Sequence, residues 1–145
     1  MITDEQLETV YAWVDGLVSL AQISGRPLTD AEREIAARAG VERIDDVRIQ
    51  EVESMPPPPD SLNELAALYL DPRNAAGLTL GHVVLILSGR VSDDLLRHEF
   101  IHVSQVETLG GVRSFLRTYL EQIIEFGYQD APLEVAARKK EQING

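Results

Sequence analysis

Apolar residues recur at Leu7, Val10, Tyr11, Val14, Leu17, Val18 and Ala21, the three-and-four spacing of a helix with one buried face. Gly25-Arg26-Pro27 ends that helix. Thr29 followed by Glu32 is a capping-box pattern and predicts a second helix that turns Ile35, Ala36 and Ala39 inward and stops at Gly40. The two helices are expected to form an N-terminal hairpin over residues 1–40. Val47 and Ile49 alternate with Arg48 and Gln50, which predicts a half-exposed strand over 47–52. The prolines at 56–59 impose a rigid extended connector. Ser61 with Glu64 is a further capping box, expected to open a short helix with Leu62, Leu65, Ala66 and Tyr69 on one face.

Asp71-Pro72-Arg73-Asn74 has the chemistry of a turn, and the residues after it, 78–87, read as one strand apolar on both faces. Ser92 then suits the N-cap of a helix whose first turn holds Asp93 and Asp94 against the positive end of the dipole. That helix should run to about Leu109, where Gly110-Gly111 breaks the chain. Val112, Phe115, Leu116, Tyr119, Leu120 and Ile123 mark another core-facing helix ending near Gly127, and Pro132 suits the first turn of a last helix carrying Leu133, Glu134, Ala137 and Arg138.

At 145 residues, with 44% apolar and 26% charged residues, the chain is expected to be one domain with its metal-site core over 41–145. The formal charge of −11 repels phosphate backbones and anionic lipid surfaces, so neither nucleic acid nor a membrane is expected as a partner. The acidic start lacks the basic and apolar regions of a signal peptide, and no apolar run approaches a spanning length, so a cytoplasmic location is expected. There is no cysteine, which leaves histidine and carboxylate as the strong metal ligands.

His98 and His102, two of the three histidines, are four apart and project from one helical face, where both imidazoles reach one ion. Glu99 sits about 100° around the helix, placed to act as general base on a zinc-activated water without being a ligand. A catalytic zinc needs a third protein ligand, which here must be His82 or a carboxylate. Among Glu107, Glu121, Glu125, Asp130, Glu134 and Glu141, Glu107 is too near on the motif helix. Glu134 is favoured because small and apolar neighbours suggest burial, with Glu125 and Glu121 as fallbacks. His82, among Leu78, Leu80, Val84 and Ile86, reads as a core or supporting histidine rather than a ligand. Tyr128 is expected to donate a hydrogen bond to the developing oxyanion, whereas Tyr119 lies in register with the apolar face and reads as core. Gln105 borders either the site or solvent.

The segments Gly77-Leu78-Thr79-Leu80-Gly81, Leu95-Leu96-Arg97-His98-Glu99-Phe100-Ile101-His102-Val103-Ser104-Gln105 and Pro132-Leu133-Glu134 with Ala137 resemble the zincin-like metallopeptidases, in particular small bacterial zincin-like domains of the gluzincin type. The resemblance covers about half the chain. It implies a His, His, Glu zinc site with the motif glutamate as base. One departure stands out: the acidic residue that many gluzincins place four positions after the ligand glutamate is Arg138 here, which is able to pair with a substrate carboxylate or with Glu134.

The expectation is therefore an α+β zincin-like fold, a small sheet packed against the motif helix with additional helices. The expected activity is zinc-dependent hydrolysis of a peptide or protein substrate, with Glu99 and Tyr128 catalytic and His98, His102 and Glu134 holding Zn2+. A sheet edge beside the site would hold the peptide as an added strand. The alternative is a non-catalytic zincin-scaffold binding or assembly domain, with or without zinc.

Overall fold

The computed structural model describes residues 2–65 and 76–144. Its sheet contains β1 (Arg48–Val52), β2 (Gly77–Leu80) and β3 (Val83–Leu87) in the order β1-β3-β2. The central strand β3 runs parallel to β1 and antiparallel to β2. The single strand expected over 78–87 is thus two strands. The chain reverses between the paired residues Leu80 and Val83, with Gly81 at φ +69°, the sign of φ that a two-residue hairpin turn requires. Both strands of this hairpin are largely buried, so the apolar run continues up to and past the turn, and hydrophobicity alone does not locate it.

Five helices longer than one turn surround the sheet among the described residues: α1 (Asp4–Ser24), α2 (Asp30–Ala39), α3 (Asp93–Thr108), α4 (Val112–Asp130) and α5 (Pro132–Asn144). Their boundaries follow local chemistry. Thr3 with Gln6 and Thr29 with Glu32 form reciprocal capping boxes, and Gly40 closes α2 at φ +96°. The Ser92 hydroxyl accepts from the Leu95 N–H at the start of α3, a cap worth about 1 kcal/mol. Gly127, near which the helix was expected to end, interrupts α4 at φ +78°, and Tyr128 belongs to a short helical turn after this kink. A 3-10 turn at Asp60–Leu62 follows Pro59 with no side-chain cap, so Ser61 lies inside the turn. Ala66, Tyr69 and the 71–74 turn lie outside the described residues.

The alternation of β3 divides the core. Val83 and Leu85 pack with Leu7, Val10 and Val14 of α1 and with Phe115 and Leu116 of α4. Val84 and Ile86 pack with Ala36 and Ala39 of α2 and with Leu96, Phe100 and Ile101 of α3. Helices cover both faces, which accounts for a strand of five consecutive apolar residues. The two N-terminal helices, expected as a hairpin, belong to these two different clusters. This is the α+β arrangement, a small sheet against the motif helix. α3 packs against α2, β2 and α5, and no described helix is long and apolar enough to cross a membrane.

Candidate metal centre

Burying Leu96, Phe100, Ile101 and Val103 of α3 toward the sheet contributes about 1.5–3 kcal/mol for each of the larger side chains and fixes the rotation of the helix. That rotation turns His98, Glu99 and His102 toward β2, α4 and α5, where they are 7%, 3% and 5% exposed. Glu134, in the first turn of α5, meets them at 1% exposure.

The three ligand-type atoms form a nearly equilateral triangle. His102 Nε2 lies 3.2 Å from His98 Nε2 and 3.1 Å from Glu134 Oε1, and His98 Nε2 lies 3.2 Å from the same oxygen. A tetrahedral zinc with bonds of about 2.0–2.1 Å holds its ligand atoms about 3.3 Å apart, so the triangle fits one face of such a polyhedron.

The hydrogen-bond network assigns protons to this triangle. Gln105 Nε2 donates to the Leu133 carbonyl at 2.9 Å, which turns Gln105 Oε1 toward His102 Nδ1 at 2.8 Å. Glu141 Oε2 lies 2.9 Å from His98 Nδ1. Both acceptors require a hydrogen on Nδ1, so each neutral imidazole presents a bare Nε2 lone pair to the centre. Two lone pairs and a carboxylate oxygen within 3.2 Å of one another call for a cation between them. Burial opposes a charge on His98, but its contacts with Glu134 and Glu141 and the field of Glu99 outweigh this and raise its pKa to about 9. Burial likewise opposes ionisation of Glu134, yet His102, His98 and Tyr119 hold its pKa well below the carboxylate range.

Further residues hold the ligands in place. The Tyr119 hydroxyl donates to Glu134 Oε2 at 2.6 Å, leaving Oε1 to face the histidines, and the Tyr119 ring stacks on His102 with centroids 5.9 Å apart. Tyr119 is buried, as its place on the apolar face suggested. Leu133 is pinned at both backbone groups, its N–H by Gln122 Oε1 at 2.8 Å and its carbonyl by Gln105, which sets the entry angle of α5 and so the reach of Glu134. Glu99 Oε1 lies 2.8 Å from the Thr79 hydroxyl on β2. A Cβ at Gly77 would stand 3.2 Å from Glu99 Cγ and Cδ, so β2 approaches this carboxylate closely.

The other candidates fall outside the triangle. His82 stands in the hairpin turn with Nε2 2.9 Å from Glu107 Oε2, and Glu107 also accepts from the Glu42 and Arg43 N–H groups. Glu121 and Glu125 are exposed. Arg138 donates to the Gln129 carbonyl beyond the kink. Tyr128 lines two cavities that meet at His98, one of about 330 Å³ and one of about 590 Å³. The residues the sequence left without a role were Gln105, Glu141, Thr79 and the Tyr119 hydroxyl. Gln105, three positions after His102 on the same helical face, was the one whose spacing carried a signal.

The buried His98-Glu99-x-x-His102 arrangement with Glu134 matches a zincin-type HExxH metal site. No family model, curated protein or solved structure matches the chain.

Proposed function

We propose that the protein is a single-domain zinc metallopeptidase in which His98, His102 and Glu134 hold the ion. The observation that carries this reading is the convergence of two Nε2 lone pairs and Glu134 Oε1 within 3.2 Å, with a second buried carboxylate, Glu99, on the same helix. Zinc held by these residues would supply Lewis acidity, for the activation of water and the polarisation of a carbonyl.

Glu99 lies outside the group of three ligand atoms, and its role is to accept the proton of the attacking water and pass it to the leaving amine. Thr79 holds the carboxylate for that transfer. Tyr128 donates to the carbonyl oxygen as negative charge develops there. β2 is an outer strand of the sheet and carries Thr79 beside Glu99, which supports binding of the substrate as an added antiparallel strand along it.

The test uses the untagged full chain. Wild type and Glu99→Gln are expected to hold one equivalent of zinc, His98→Ala much less, and wild type alone to cleave a peptide library. Absence of zinc from wild type sinks the proposal. Stoichiometric zinc without cleavage of any peptide sinks the enzymatic part and favours a metal-bearing binding domain.

A further inference from the structure

The cavity of about 590 Å³ adjoins the triangle at His98, and its wall carries Arg90, Ser92, Asp94, Arg138 and Glu141. Its two acids are engaged elsewhere: Asp94 pairs with Arg97 at 2.8 Å and Glu141 with His98 at 2.9 Å. Its two guanidinium groups have no carboxylate partner among the described residues. Arg138 uses one N–H on the Gln129 carbonyl, and Arg90 is exposed. The backbone places both cations. The Arg90 N–H donates to the Leu87 carbonyl at 3.0 Å in the turn after β3, where Gly89 stands at φ +78°. Arg138 lies about one helical turn past Glu134, roughly 6 Å along α5.

We propose that this cavity receives a carboxylate of the peptide substrate, from its C-terminus or from an acidic side chain, one or two residues from the scissile bond. The inference deepens the metallopeptidase reading and rests on it. The separation follows from the helix, since roughly 6 Å is about two residues of extended peptide at about 3.3 Å each. A guanidinium fork matches a carboxylate with two parallel N–H bonds, and Arg138 keeps N–H groups for this beyond the one given to Gln129. A cationic group of the substrate would meet two like charges in the same place. The formal charge of −11 does not oppose a carboxylate here: exposed charges beyond about 8 Å are largely screened at physiological salt, and the acids lining the cavity are already paired.

Binding without turnover gives the readout. The zinc-loaded full chain carrying Glu99→Gln would be titrated calorimetrically with N-acetyl tetra-alanine bearing a free C-terminus, with its C-terminal amide, and with the amide that has glutamate as its last residue. The free acid or the glutamate peptide is expected to bind roughly tenfold tighter than the alanine amide, the gain of a charge-assisted pair discounted for solvent exposure. Which of the two does so identifies the source of the carboxylate. Arg90→Gln and Arg138→Gln, each added to Glu99→Gln, should cut that ratio to about threefold or less. Arg138→Gln also removes the contact with Gln129, so the exposed Arg90 variant decides if the other misfolds. Equal binding of the three peptides, no binding of any at millimolar concentration, or a ratio unchanged in the arginine variants overturns the proposal and leaves the zinc site standing. A wild-type chain that binds no zinc overturns the metallopeptidase reading, and this inference with it.

Discussion

Glu141 stands seven positions after Glu134 on α5, and its Oε2 meets His98 Nδ1 at 2.9 Å. Two helical turns bring it back to the face of Glu134, so it takes the supporting role that Arg138, four positions on, does not fill by residue type. A carboxylate behind a ligating imidazole fixes its tautomer and raises its basicity, and losing such a partner costs about 10–100-fold in metal affinity. Glu141→Ala should weaken zinc binding by that factor in competition with a chromophoric chelator. Glu141→Gln, which keeps an acceptor for Nδ1, should lose less. Unchanged affinity in Glu141→Ala would remove the orienting role.

Metal binding and base positioning should separate at β2. Thr79→Val removes the hydroxyl 2.8 Å from Glu99 Oε1, and Gly77→Ala places a methyl 3.2 Å from the Glu99 side chain. Neither residue belongs to the triangle. Both variants should keep one equivalent of zinc while kcat on a cleaved peptide falls about tenfold or more, because a displaced base leaves the reactive geometry. Loss of zinc in either variant would mean that β2 supports the ligands instead, and metal analysis beside steady-state kinetics distinguishes the two.

What the sequence disclosed depended on the range of the signal. The α3 boundaries, the pair His98 and His102, and the break at Gly110-Gly111 rest on caps and spacings within one helix, and they were legible. Glu134 was legible because an acid among small apolar residues needs a buried partner. Glu141 was not, since a solvent-facing acid late in a helix looks the same whether or not a histidine from another element lies against it. Thr79 was hidden because threonine is an ordinary strand former. The hairpin turn at Gly81 and His82 was hidden because burial of both flanking strands made one apolar run of two.

Acid stability should depend on Glu32. Arg26 holds its two oxygens at 2.7 and 2.9 Å, and the Thr29 N–H adds a third bond at 2.9 Å. The Arg26 hydrogen bond is the main reason the Glu32 pKa lies below its ordinary value of 4.5. A depressed folded pKa means that the unfolded chain binds more protons in the window between the two values. This contribution is therefore complete above about pH 4.5 and is lost as pH falls through the folded value. Glu32→Gln should flatten the decline of the urea midpoint between about pH 5 and pH 3. A residual slope should remain from Glu134, which His102, His98 and Tyr119 hold well below the carboxylate range against its burial, and from Glu107: burial pushes its pKa up, but the Glu42 and Arg43 N–H groups and His82 outweigh this and lower it. A slope identical to wild type would count against the pair.

The Tyr119 hydroxyl donates at 2.6 Å to a carboxylate that is 1% exposed, and this bond decides which oxygen of Glu134 faces the histidines. Tyr119→Phe keeps the ring stacked on His102 and removes only the donor. Depriving a buried charged acceptor of a partner costs about 1–3 kcal/mol, so urea denaturation in the presence of a chelator should find the variant less stable by that amount. If the cost arises from the carboxylate, it should largely vanish in a Glu134→Leu background, where no charge awaits the hydroxyl. A double-mutant cycle measures this coupling directly. Additive effects would instead mean that the loss does not run through the Glu134 carboxylate, and the hydroxyl would then have no part in presenting Glu134 Oε1 to the metal.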